Sequence, residues 1–163
     1  MMRLHPDLHN AFNEQIGREL TSSHQYINMA AFFDDAGLSL LAKRYFKQSQ
    51  EEREHAMKFV EFLVRVDAPV AVPAVPATTH EFGTVEAALK LAFEYEVDIT
   101  QRIDALMDTA VRVNDHAAQE FLRWFITEQV EEVHTAETML RVATAAGGRN
   151  VMMIEAYLVH LGK

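Results

Sequence analysis

The chain has 163 residues, 49% of them hydrophobic, which is enough apolar material for a single domain with its own core, predicted to span residues 1–163. Because it contains no cysteine, disulfides, thiolate zinc sites and iron–sulfur clusters are excluded, and any metal must be held by oxygen and nitrogen atoms. The formal net charge of −9, without a basic stripe, argues against nucleic acid as a partner and favours cations. There is neither an apolar leader nor a run long enough to span a membrane, so we expect a soluble cytoplasmic protein without a membrane partner.

Five helices are predicted from the start and stop signals along the chain. The first begins at Pro6, a favourable first helical residue, and ends before Gly37. Ser39 is predicted to cap the second helix and Thr84 the third, because short polar side chains accept hydrogen bonds from the first free N–H groups, and Asp115 is predicted to start the fourth. The predicted spans are 6–36, 39–66, 84–113, 115–146 and 150–161.

One proline-rich stretch, residues 67–83, separates the second helix from the third. It holds three of the four prolines, which a helix interior does not tolerate. Fully extended, about sixteen residues reach about 50 Å, whereas a helix of the second helix's predicted length measures about 42 Å. The stretch can therefore cross the whole bundle and make the third helix parallel to the second, as in four-helix bundles with one long crossover.

The four long segments each carry an apolar stripe whose spacings alternate between four and three residues. This spacing is typical of helices packed near +20° in a four-helix bundle. Phe62 in the second stripe and Phe93 and Met107 in the third are among the residues assigned to the buried seam. Residues that could bind a metal interrupt the stripes at mid-length, and they are Glu19, Glu52, His55, Glu96, Gln129 and Glu132.

These metal-binding residues are predicted to lie at the same height along the bundle axis, because antiparallel helices place residues equidistant from a turn side by side. Glu19 and His55 are each 18 residues from the glycine of the first turn, and Glu96 and Glu132 are each 18 residues from Asn114 in the second turn. Four carboxylates in one buried layer repel each other and require cations. Oxygen ligands with a single imidazole suit iron or manganese. A Glu and a His at i, i+3 share a helix face and can chelate one ion, and a central carboxylate can bridge two.

Over its whole length the chain resembles the non-haem bacterial ferritins of the ferritin-like di-iron family, of the actinobacterial type. The resemblance is carried by residues 13–20 (NEQIGREL), 50–55 (QEEREH) and 124–132 (WFITEQVEE). It implies an all-α, ferritin-like four-helix bundle with one long crossover loop and a short fifth C-terminal helix.

The resemblance also implies the roles of individual residues. Glu19, Glu52 and His55 would hold a first iron, and Glu52 would bridge to a second iron held by Glu96, with Gln129 and Glu132 close by. A third iron position would involve Glu51, Glu128, Glu131 and Glu132. Tyr26 lies beside this centre, either as a hydroxyl bonded to a carboxylate or as a redox participant. The catalytic set is Glu19, Tyr26, Glu52, His55, Glu96 and Gln129.

The implied function is iron storage with ferroxidase activity. Fe(II) would be oxidised by O2 or H2O2 at the di-iron centre and stored as a ferric mineral inside a hollow homo-oligomer of about 24 subunits. The apolar residues of the fifth helix have no place in a complete four-helix core and would make subunit contacts; they are Val151, Ile154, Tyr157, Leu158 and Leu161.

Haem is not expected. Arg53 occupies what resembles the haem-binding methionine position of bacterioferritins, and the fourth helix has Gln129 where those proteins repeat the Glu-x-x-His motif. The second iron site therefore has an amide in place of an imidazole and should bind more weakly. Alternative functions are a DNA-protecting mini-ferritin and a structural cage subunit without oxidase activity. A rubrerythrin-like peroxidase would require cysteines that the chain lacks. Trp124 and the histidines other than His55 are assigned to packing or to the surface.

Overall fold

The computed structural model describes residues 4–148 and 150–161, so the ends of the predicted domain at residues 1–3 and 162–163 lie outside the described residues. Within these ranges the chain forms five helices and no strand, which confirms the all-α prediction with its short fifth helix. None of the described helices is long and apolar enough to cross a membrane. The helices are α1 (Pro6–Asp35), α2 (Ser39–Arg65), α3 (Val85–Arg112), α4 (His116–Ala146) and α5 (Met152–Leu161).

The predicted starts of α3 and α4 are confirmed by their caps. Thr84 Oγ1 accepts a hydrogen bond from the N–H of Ala87, and Asp115 Oδ1 accepts one from Ala118, both at 3.0 Å. Gly37 follows α1 with φ of 78°, a left-handed conformation that suits glycine after a helix end.

The prediction that Ser39 caps α2 is wrong. Leu38 is the cap residue and provides no side-chain hydrogen bond. The N–H groups of Leu40 and Leu41 instead each donate to the carboxylate of Glu155 on α5, both at 2.9 Å. A carboxylate at this end is favourable because the helix dipole leaves a partial positive charge there. The fifth helix therefore completes the start of the second.

Two apolar clusters fill the bundle and leave a polar layer between them. In one cluster the ring of Phe59 lies 5.2 Å from Phe12 and 4.5 Å from Phe125. In the other, the ring of Tyr45 lies 5.5 Å from Tyr26 and 5.1 Å from Phe33. Between the clusters lie five side chains that are at most 3% exposed and that we call the polar layer: Glu19, Glu52, His55, Glu96 and Gln129.

Most of the residues assigned to the buried seam are buried, but several are not. Some residues assigned to the seam are only half-buried, whereas their neighbours in the sequence are fully buried. Neighbouring positions lie about 100° apart around a helix of 3.6 residues per turn, so the core face at these turns includes the adjacent residue. The half-buried residues are Phe62, Phe93 and Met107, and the buried neighbours are Leu63, Ala92 and Leu106.

The stretch between α2 and α3 runs along the outer face of α1. Near the start of α1, Asn13 Oδ1 accepts a hydrogen bond from the N–H of Ala71 at 2.7 Å. Farther along, the amide of Gln25 exchanges two hydrogen bonds with the backbone of Thr79, at 2.9 and 3.1 Å. The loop therefore crosses the length of α1 as predicted, and α3 begins at the same end of the bundle as α2.

The fifth helix packs onto the end of the bundle. Ile154 is fully buried in the cluster that contains Tyr26, and Val151, Tyr157 and Leu158 pack against that cluster. The prediction that these residues have no place in the core is therefore wrong for Ile154, because the open end of the bundle provides a site for it. Leu161 remains 56% exposed.

Candidate metal centre

Glu19 of α1 and the Glu52 and His55 pair of α2 form a compact cluster of possible metal ligands. One oxygen or nitrogen atom from each lies within 4.8 Å of the others, and all three side chains are buried. His55 Nδ1 lies 3.4 Å from Glu52 Oε2, because residues three apart share a helix face. Over residues 4–148 and 150–161, no other group of three or more acidic, histidine or cysteine side chains meets this distance.

One atom of the cluster lacks a hydrogen-bond partner. Glu19 Oε1 accepts a hydrogen bond from Gln15 Nε2 at 2.8 Å, but Glu19 Oε2 is buried and has no partner. A buried polar atom without a partner costs about 1–3 kcal/mol. Two buried carboxylates with one imidazole and a free oxygen fit a divalent cation that prefers oxygen ligands, such as Fe(II) or Mn(II).

Glu96 lies across the bundle on α3 and is held by residues of α1 and α4. The hydroxyl of Tyr26 donates a hydrogen bond to Glu96 Oε1. Gln129 Nε2 lies 3.3 Å from Glu96 Oε2 and 3.2 Å from Thr100 Oγ1. The structure thus brings Tyr26, Glu96 and Gln129 into one buried group, in which the Tyr26 hydroxyl is hydrogen-bonded to the Glu96 carboxylate.

Glu52 and Glu132 are connected by the side chain of Gln48. Gln48 Nε2 donates to Glu52 Oε1 at 3.0 Å and to Glu132 Oε2 at 2.8 Å. Glu132 was predicted to lie in the buried layer, but it is only half-buried and extends from α4 toward α2. Glu52 therefore lies in the cluster with Glu19 and His55 and is also linked to the α4 side of the layer.

The residues assigned to a third iron position are less buried. Glu51 is half-buried and pairs with Lys47 Nζ at 2.7 Å, Glu128 is half-buried, and Glu131 is exposed. None of them belongs to the compact cluster of Glu19, Glu52 and His55. Their role in metal binding stays a prediction.

An aromatic wall covers His55. Its ring lies edge-on to Trp124 at 5.4 Å and to Phe125 at 5.8 Å between ring centroids. Trp124 is 41% exposed, and the ammonium group of Lys58 lies 4.5 Å from its ring centroid. Trp124 therefore packs between the imidazole and the surface, in agreement with its assignment to packing.

Comparison with known proteins identifies the family. A family model described as a ferritin-like domain matches residues 9–145 of the chain. The chain belongs to the ferritin family. It is 40% identical over 150 residues to ferritin BfrB from Mycolicibacterium smegmatis, covering 92% of this chain and 82% of that protein. It is 34% identical over 151 residues to a bacterial non-heme ferritin from Bacteroides fragilis, covering 93% and 95%.

Solved structures support the same family. An open-pore ferritin from the hyperthermophilic archaeon Archaeoglobus fulgidus superimposes with a TM-score of 0.91 and 32% sequence identity, covering 97% of this chain and 98% of that one. The predicted resemblance to non-haem bacterial ferritins and the predicted ferritin fold are confirmed.

In this ferritin, burial and mutual repulsion raise the pKa values of Glu19, Glu96 and Glu132 and so favour their neutral carboxyls. Burial, followed by the charge of Glu52, raises the pKa of Glu19 to about 8. The same two causes raise the pKa of Glu132 to about 7, and burial raises that of Glu96 well above its usual range. Burial lowers the pKa of His55, but the hydrogen bond to Glu52 and the surrounding carboxylates outweigh it and raise the pKa to about 9. Protons at these side chains would therefore compete with a cation.

The sequence analysis gave no role to two glutamines that support the ferritin's polar layer. Gln15 donates to Glu19, and Gln48 donates to Glu52. Each glutamine lies four residues before its glutamate, on the same helix face. This spacing was visible in the sequence and could have predicted both contacts, although not the second hydrogen bond of Gln48 to Glu132.

Proposed function

We propose that this ferritin stores iron and oxidises Fe(II) at a two-ion centre within each chain. The observation that carries the proposal is Glu19 Oε2, a buried carboxylate oxygen without a partner inside the cluster with Glu52 and His55. Family membership supports iron storage, and the orphan oxygen supports a cation at this position. The proposed ligands are Glu19, Glu52, His55, Glu96, Gln129 and Glu132.

Fe(II) is the substrate, and the side chains determine where it binds. The first ion binds Glu19 and His55 and shares Glu52 with the second ion. The second ion also binds Glu96, with Gln129 and Glu132 beside it. Because the carboxyls of Glu19 and Glu96 bind protons readily in the free protein, binding of Fe(II) releases protons.

Oxidation then removes one electron from each of the two ions. O2 accepts these two electrons and two protons to give H2O2, and two Fe(III) ions remain. H2O2 as the oxidant accepts two electrons and two protons to give two water molecules. Tyr26 holds Glu96 by its hydrogen bond, and the aromatic wall of Trp124 and Phe125 limits access of water to His55.

Storage requires an enclosed volume that a single bundle lacks. The ferritin family and its solved structures support an oligomeric cage, which we propose to contain about 24 copies of this chain, with a ferric mineral inside. Glu51, Glu128, Glu131 and Glu132 are the proposed ligands of a third iron position near the centre. The compact cluster lies within one chain, which favours this function over a mini-ferritin with ligands shared between subunits.

The test combines mass measurement with aerobic Fe(II) oxidation. Light scattering should give the mass of a large homo-oligomer. Glu52→Ala and His55→Ala should slow initial oxidation by about 10–100-fold, the usual effect of disturbing a metal site. Glu54→Ala is the matched control, because Glu54 is exposed on the same helix and carries the same charge. A monomer, or oxidation at the wild-type rate in both ligand variants, contradicts the proposal.

A further inference from the structure

The side chain of Gln48 is the direct hydrogen-bonded link between the carboxylates of Glu52 and Glu132. Its amide nitrogen has two hydrogens and gives one to Glu52 Oε1 at 3.0 Å and one to Glu132 Oε2 at 2.8 Å. When both carboxyls are ionised they can only accept, so the nitrogen of the amide, and not its oxygen, faces them. In this state the orientation of Gln48 is fixed by its partners.

The link joins two helices that are far apart in the sequence. Gln48 lies one helical turn before Glu52 on α2, whereas Glu132 lies on α4, 84 residues from Gln48. Two neighbouring carboxylates repel each other when ionised, and a shared amide donor offsets this repulsion by binding both. Gln15 differs in this respect, since its amide donates to Glu19 on its own helix.

We propose that Gln48 is a positioning residue that couples the two ion sites by holding Glu132 against the shared carboxylate Glu52. When the first ion fixes Glu52, Gln48 fixes Glu132 at the second site, so the second ion meets a ligand already in place. Gln48 binds no ion itself and uses only its two N–H donors. This inference rests on the proposed two-ion centre.

The test is calorimetric titration of the assembled protein with Zn(II), which binds oxygen and nitrogen ligands without redox chemistry. Gln48→Met has a similar length and no donor. We expect it to weaken binding of the second Zn(II) about tenfold, the lower end of the effect of a hydrogen bond to a charged group. Binding of the first Zn(II) should weaken clearly less than binding of the second, because Glu19 and His55 keep their contacts and only the shared Glu52 loses a donor.

Two control variants separate coupling from general damage. Gln50→Met changes an exposed glutamine on the same helix and should leave both affinities unchanged. Gln15→Met removes a donor to Glu19 and should weaken the first ion more than the second. In a double-mutant cycle with Glu132→Met, which has no oxygen to accept from Gln48, the two changes should be less than additive, because each removes the same hydrogen bond.

The outcomes distinguish this inference from the proposed function. If the wild type binds two Zn(II) ions and Gln48→Met binds both with wild-type affinity, Gln48 does not couple the sites and the inference alone is wrong. An equal loss of affinity for both ions also contradicts coupling. If Glu52→Ala binds as many Zn(II) ions as the wild type does, with the same affinities, Glu52 holds no ion. The two-ion centre is then wrong, and the inference is wrong with it.

Discussion

Tyr26 on α1 donates its hydroxyl hydrogen to Glu96 on α3, so these helices meet through a buried hydrogen bond within the bundle. The two residues are 70 positions apart in the sequence. A donor to a carboxylate favours its ionised form, which is the form that binds a cation. This contact therefore lowers the pKa of Glu96, in opposition to the larger effect of burial.

We expect Tyr26→Phe to shift binding of the second ion to higher pH. Without the hydroxyl the pKa of Glu96 rises further, and protons compete more strongly with the cation. The pH dependence of Co(II) binding, followed by visible absorption, measures the shift. Tyr45→Phe is the control. Tyr45 is also buried and packs on Tyr26, but the hydroxyl that donates to Glu96 is that of Tyr26. The same shift in both variants would contradict a role for the hydrogen bond.

The metal-free protein should lose stability as the pH rises from about 5 to about 9. The pKa values of Glu19, Glu132 and His55 are raised to about 8, 7 and 9 in the folded protein, from 4.5, 4.5 and 6.5. A raised pKa means that the folded state binds protons more tightly than the unfolded state does. The resulting stabilisation is complete at low pH and is lost as the pH rises through the pKa of the folded state. The free energy of unfolding should fall by about 1.4 kcal/mol per pH unit for each proton concerned.

Denaturant unfolding of chelator-treated protein at several pH values measures this slope. Glu19→Gln should flatten it between pH 5 and pH 8, because an amide does not titrate. Addition of Zn(II) should raise the stability most at the upper end of the range, where the carboxylates are ionised. Stability that rises with pH in the metal-free protein would contradict the raised pKa values.

Gly17 permits close contact between α1 and the crossing loop. A Cβ atom at residue 17 would overlap Cγ of Pro73. Gly17→Ala therefore forces the loop away from the helix, and we expect a loss of about 1–3 kcal/mol, the usual cost of overpacking. Thermal unfolding measures the loss. The double variant Gly17→Ala, Pro73→Ala lacks the overlapping ring and should regain most of the stability. If it is no more stable than Gly17→Ala alone, this clash is not the cause.

Glu155 should stabilise both the start of α2 and the docking of α5. In Glu155→Ala the N–H groups of Leu40 and Leu41 lose their acceptors, and we expect a loss of about 1–2 kcal/mol, as for other helix caps. Hydrogen exchange at these two amides should accelerate. Glu137→Ala is the matched control, because its carboxylate forms a surface pair with Arg141 and such pairs contribute at most about 1 kcal/mol. Unchanged exchange at Leu40 and Leu41 would contradict the capping role.

The helices and the composition of the candidate centre could be predicted from the sequence because both depend on local geometry. A helix has 3.6 residues per turn, so Glu52 and His55 must share a face, and the antiparallel turn at Gly37 brings Glu19 to the same depth. Spacing alone also placed Glu96 and Gln129 in the buried layer, and their burial in the structure agrees. The caps of α3 and α4 are local, because Thr84 and Asp115 accept from N–H groups three residues later.

The contacts decided by the tertiary structure join residues that are distant in the sequence. The second hydrogen bond of Gln48, the cap provided by Glu155 and the contact of Gly17 with Pro73 depend on the distances between packed elements. A periodic pattern gives the face on which a residue lies, but not the side chain that it meets across the bundle. The sequence by itself therefore determined that Glu19, Glu52 and Glu96 are buried together. The packing of the helices decided that Glu132 is only half-buried, which donors hold these carboxylates, and which oxygen of Glu19 is left without a partner.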